Sequence, residues 1–125
     1  KEGIRALIED MKINAPKESY EVSDLDSIRA VVGEEELKPL RAAYIKAGTQ
    51  VRGVTSGQSI LPISVDVVKL APEDGGFKSN ISIYGDHIAL LTFEGKMHTI
   101  IIESAALAKA LNKVFDQIFK KKIVK

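Results

Sequence analysis

The chain holds 125 residues, 45% of them apolar and 28% charged, which is enough for one domain with a single core and too little for a multidomain enzyme. Eighteen Lys and Arg against seventeen Asp and Glu leave a formal net charge of +1, so no overall field draws the molecule to nucleic acid or to an anionic membrane. The absence of cysteine excludes a disulfide framework, a thiolate nucleophile and a cysteine metal site, and it fits a reducing compartment, so the cytoplasm is the expected location. No apolar run reaches the roughly eighteen residues of a membrane span, and the opening KEGIRALIEDMK lacks the layout of a signal peptide, so no membrane partner is expected. Because the chain opens on Lys1 and not on methionine, it is expected to be a single domain, residues 1–125, excised from something longer.

Ile4, Leu7, Ile8 and Met11 recur at three and four, which predicts a helix over 3–13 stopped before Pro16. Ser19 to Val22 reads as a short strand. Asp24 is placed to cap a helix with Leu25, Ile28, Val31 and Val32 inward, ended by Gly33. The next helix opens on Glu34, Glu35 and Glu36, turns Leu37, Leu40, Ala43, Tyr44 and Ala47 inward, and ends on a left-handed Gly48. Pro39 requires that this helix begin no more than about one turn before it. Gln50 to Val54 then predicts a strand, Thr55 to Ser59 a polar loop, and Val65, Val67 and Val68 a strand ending near Pro72. After the turn Pro72 to Gly76, three strands, Asn80–Tyr84, His87–Phe93 and Met97–Ile102, are joined through Gly85-Asp86 and Glu94-Gly95-Lys96 as an antiparallel meander. Their apolar runs imply burial on both faces. Ser104 caps a last helix with Leu107, Leu111, Val114, Phe115, Ile118 and Phe119 on one stripe. The fold class is therefore α/β, a mixed sheet with helices on both faces.

Chemistry is sparse. His87 and His98 have no third ligand at a recognisable spacing, so no metal site is expected, and no glycine-rich loop joins a strand to a helix, so no nucleotide cofactor is expected. No serine lies in a nucleophile-elbow sequence, and no catalytic residue is assigned. Asp24, Asp26 and the three glutamates read as helix starts, and Lys120-Lys121-Lys122 with Lys125 as a solvated helix end. Two functional readings stand above this floor. One is a small-ligand pocket at the sheet ends, drawing on Thr55, Ser56, Ser59, Ser79, Tyr84 and Asp86. The other is a dimer seam on the last helix, from Phe115, Ile118 and Phe119, if the sheet leaves part of the stripe uncovered; core packing is the plainer account of the same residues.

The run Ile81 to Leu91 with its Tyr84-Gly85-Asp86 turn, then Thr99 to Ser104 and the helix Ala108 to Phe119, resembles the C-terminal regulatory domain of TrmB-like transcriptional regulators. Tyr20-Glu21-Val22, Leu25 to Val32 and Leu37 to Gly48 followed by Val51 to Val54 fit the elements that precede these, so the resemblance covers most of residues 1–120. It implies a fold like half of a phospholipase-D-like domain, a homodimer, an effector that in some members is a sugar, and contact with DNA only through an N-terminal winged helix. Ser104 stands where the family has Asn, and only about ten residues join Val54 to Val65, where the family segment is often longer. The catalytic His-x-Lys of phospholipase-D-like enzymes is absent from both His87-Ile88-Ala89 and His98-Thr99-Ile100. The expected function is a non-catalytic sensing and dimerisation domain; a phosphodiesterase-like enzyme and a stand-alone protein-interaction domain are the alternatives.

Overall fold

The structure, a computed structural model, describes residues 2–57, 64–70 and 76–124. Helix α1 (Glu2–Ile13) leads into β1 (Glu18–Asp24), α2 (Leu25–Val32), α3 (Glu34–Ala47), β2 (Gln50–Ser56) and β3 (Ser64–Lys69). The meander β4 (Ser79–Tyr84), β5 (His87–Thr92) and β6 (His98–Glu103) follows, and α4 (Ala105–Val124) closes the described chain. The six strands form one mixed sheet in the order β3-β2-β1-β4-β5-β6, with β1, β2 and β3 mutually parallel and β4 antiparallel to β1. Helices lie on both faces, as the alternation of elements implies: α1, α2 and α3 cover one, α4 the other.

Strand side chains alternate between these faces, and β1 shows the consequence most clearly. Tyr20 turns toward α4, where its ring stacks on Phe115 and Phe119 at centroid distances of 5.2 and 5.7 Å, and its hydroxyl donates to Asp116. Burial and the Asp116 carboxylate together push the Tyr20 phenol up to about 12. Ser19, Glu21 and Ser23 turn the other way, beneath the three helices. Ile4, Leu7, Ile8 and Met11 of α1 are all buried there, and Tyr44 of α3 packs with Leu7, Met11, Val51 and Tyr84.

Several expectations change. Val31 is 40% exposed while Val32 is buried, because a step of about 100° per residue prevents two adjacent valines from sharing the inner face. Helix α3 starts at Glu34, five residues before Pro39, so the proline lies inside the helix and leaves the Glu35 carbonyl without its i+4 amide donor. Gly48 does take the left-handed conformation, with φ 73°, and returns its amide to the α3 carbonyls. Strand β2 runs on to Ser56, so Thr55 and Ser56 are paired strand residues, not loop; Ser59 and the Pro72–Gly75 stretch lie outside the described residues. Burial on both faces holds for β4 and β5, whereas β6 is an edge strand with Ile100 54% exposed. The apolar stripe on α4 spans an arc of about 140°, too wide for one contact with a sheet. Ala108, Phe115 and Phe119 are buried and Leu111 half-buried, while Leu107, Val114 and Ile118 stand exposed. Phe115 and Phe119 therefore belong to the core; of the three residues read as a seam, Ile118 alone is at the surface.

Candidate functional site

Under α1, α2 and α3 the sheet carries an inward polar row where an apolar one would normally pack. Ser23 donates to the Asn80 side-chain oxygen; the Asn80 amide donates to Ser82 Oγ at 2.9 Å; Ser82 Oγ donates to Glu21 Oε1 at 2.9 Å. All donors in this chain run toward Glu21, which is therefore its terminal acceptor. A second, longer bond from the Asn80 amide, 3.4 Å, reaches the same Oε1. Glu21 Oε2 and the Tyr44 hydroxyl, both buried, make no close hydrogen bond among the described residues, and Ser19 is the polar side chain that acts on both residues. Loss of water around the carboxylate pushes Glu21 up from an ordinary 4.5 to about 7, against the hydrogen bonds from Ser82, Asn80 and Ser19 that pull it down. Burial, with the nearby Glu21 charge adding to it and a hydrogen bond with Ser19 opposing it, also raises the Tyr44 phenol, which keeps it neutral.

Glu21 and Tyr44 are among the residues that line a cavity of about 110 Å³, with Glu21 Oε2 and the Tyr44 hydroxyl themselves shielded from it. Its walls are apolar: Ile4, Leu7, Ile8 and Met11 from α1, Leu25, Ile28 and Val32 from α2, Leu37 and Leu40 from α3, and Val51 and Leu91 from the sheet. Arg29 and Arg41, with side chains 34% and 25% exposed, mark the side open to solvent, and Glu34 lies 3.7 and 3.3 Å from them. The site is thus a greasy chamber with a polar end, a form common among small-molecule sites.

The residues expected to bind a ligand do not gather in one place. Thr55, Ser56 and Ser79 lie at one end of the central strands, around Asp24. There Asp24 caps α2 through Ser27 N and accepts the amides of Phe77 and Lys78 at 2.9 Å each, a structural joint. Gly76 is required beside it, because a Cβ would stand 2.6 Å from Asp24 Oδ2. Tyr84 and Asp86 lie at the opposite end of β4, about 17 Å away at the usual rise per residue. Tyr84 donates to Asp10 Oδ2 at 2.7 Å, and His87 Nδ1 lies 2.9 Å from the same oxygen, an arrangement that fastens α1 to the β4–β5 turn. Ser59 is outside the described residues.

His87 pairs with Glu103 and His98 with Thr92, so the two histidines occupy opposite ends of the β5–β6 ladder and cannot meet at one phosphorus. Among the described residues no group of three His, Asp or Glu is arranged to hold a metal ion, and no helix is long and apolar enough to cross a membrane. The sequence does not single out Glu21 or Tyr44 as functional residues; the signal it holds is the polar alternation Ser19, Glu21, Ser23 and Asn80, Ser82 on strands that prove central. No protein-family model matches the chain, and no curated protein is detectably similar to it.

Proposed function

We propose that the chain is the non-catalytic sensing and dimerisation domain of a cytoplasmic, TrmB-like transcriptional regulator, in which a small effector occupies the cavity under α1–α3 and DNA is read by an N-terminal winged helix. The observation that carries the sensing part is the largely apolar cavity open to solvent beside Arg29 and Arg41, with the hydrogen-bonded row of Ser23, Asn80, Ser82 and Glu21 along the sheet beneath it. A sheet face needed only for stability would be apolar there, since every polar group buried on it has to find a hydrogen-bond partner.

Helix α1 supplies four wall residues and packs against both α3 and the edge strand β6. An effector that fits one position of α1 better than another shifts the population of that position, and a winged helix attached ahead of α1 moves with it. The dimer part rests on Leu107, Val114 and Ile118, spaced seven and four apart on the exposed side of α4, a seam suited to the same helix of a second copy. Determining the native polypeptide ahead of Lys1 from its intact mass and N-terminal peptides tests the assignment. A helix-turn-helix pattern there supports the regulator; its absence, together with hydrolysis of a chromogenic phosphodiester that disappears on His87→Ala, would replace it with an enzyme.

A further inference from the structure

The two edges of the sheet differ. Strand β3 carries Asp66 and Lys69 and breaks register against β2 between Val51 and Arg52, features that discourage further pairing. Strand β6 has neither safeguard. It runs in unbroken register along β5 and holds Ile100, Ile101 and Ile102 in succession between Thr99 and Glu103, with no proline or lysine. The Ser104 amide donates to the Asp86 carbonyl, so the two-residue alternation of an antiparallel ladder directs the backbone groups of Ile102, Ile100 and His98 to β5. Those of Thr99, Ile101 and Glu103 point outward, where no described strand receives them.

The exposed apolar flank of α4 lies toward the same edge. Asp116 reaches the Tyr20 hydroxyl on β1, and Leu107, Val114 and Ile118 lie about 160–200° around the helix from Asp116, hence on the side toward β6. With Ile100 and Ile101 they expose on the order of 400 Å² of apolar side chain, the size of a contact patch and about half of the roughly 800 Å² that each partner commits to a stable complex. The edge backbone and the polar rim around it supply the remainder.

On the reading that the chain dimerises, we infer that β6 pairs antiparallel with β6 of a second copy, joining the two six-stranded sheets into one. A two-fold axis normal to the sheet keeps every side chain on its own face. Of the registers this allows, the one centred on Ile101 uses all the outward groups: Ile101 opposes itself and Thr99 opposes Glu103, each pair exchanging amide and carbonyl bonds. On the α4 face Ile100 then stands opposite Ile102, between the two α4 flanks.

Amide exchange of the unaltered protein tests the pairing, because the Thr99, Ile101 and Glu103 amides have no strand acceptor within one copy among the described residues. These three should exchange at least roughly tenfold more slowly where light scattering gives twice the chain mass than in dilute, monomeric solution. The chain has no cysteine, so Ile101→Cys supplies a second readout. Opposed residues of a bonded pair lie about 5.5 Å apart at Cα, within disulfide reach. With oxidised glutathione Ile101→Cys should therefore cross-link to itself, whereas Ile100→Cys, which faces Ile102, and Ile13→Cys, exposed elsewhere, should not. A dimer in which the three amides exchange freely and Leu107→Cys cross-links in place of Ile101→Cys would overturn the strand pairing and leave dimerisation to α4 alone. A chain that stays monomeric at high concentration would remove both.

Discussion

Replacing Glu21 with Gln isolates the energetic consequence of placing a carboxyl group on the inner face of a central strand. Burial raises its pKa from 4.5 to about 7, so between these values the folded chain keeps a proton that the unfolded chain releases. Stability is therefore highest below pH 4.5 with respect to this group, falls as pH rises through the window, and levels off above pH 7. At about 1.4 kcal/mol per pKa unit, the loss across the window is about 3 kcal/mol. Gln has the same shape and no proton to lose, so Glu21→Gln should match the native protein within about 1 kcal/mol at pH 5 and exceed it by about 3 kcal/mol at pH 8. Urea unfolding of both proteins at pH 5, 6, 7 and 8 measures this directly, and all other titrations are common to the pair and cancel in the difference. Parallel stability curves would mean that water reaches Glu21 freely and that the polar end of the cavity is not a dry one.

Asp24→Ala removes a helix cap and the acceptor for two amides, so a loss of about 2–4 kcal/mol is expected in urea unfolding. Gly76→Ala should lose about 1–2 kcal/mol by displacing that same carboxylate, and in the Asp24→Ala background it should cost much less; full additivity would show that the two do not touch. Leu107→Glu combined with Val114→Glu places charges on the exposed face of α4, away from the buried Phe115 and Phe119. Light scattering should change from twice the chain mass to once, with the fold retained by circular dichroism; a native protein that is already monomeric at high concentration would remove the seam.

The helices were legible because each presents a 3.6-residue apolar period and a chemical stop, Gly33 and Gly48 above all, and the meander because its turns contain Gly85 and Gly95, both at positive φ. Periodicity specifies which side of an element is apolar, not how much of that side a neighbour covers. On α4 it therefore grouped Leu107 with Phe115, although a single sheet contact reaches only part of a 140° arc, roughly. The cavity was hidden for a related reason. Ser19, Glu21 and Ser23 alternate with Tyr20 and Val22 as they would on a strand with one face in water, and only the sheet order, which puts β1 and β4 at the centre beneath three helices, turns that polar row inward. Loop composition pointed to Thr55, Ser79 and Asp86 instead, yet Thr55 extends a strand and the other two stand at opposite ends of the β4 region.

The most direct test of the sensing role is a methyl spectrum of the protein recorded with and without a panel of small-molecule metabolites. Shifts confined to the methyls that line the cavity, Ile4, Leu7, Ile8, Met11 and Leu40, with Ile102 and Leu111 on the α4 side unmoved, are the expected result. Shifts that gather instead on the α4 face, or around Thr55 and Ser79 at the strand ends, would contradict the assignment of the cavity as the site where this domain meets its effector.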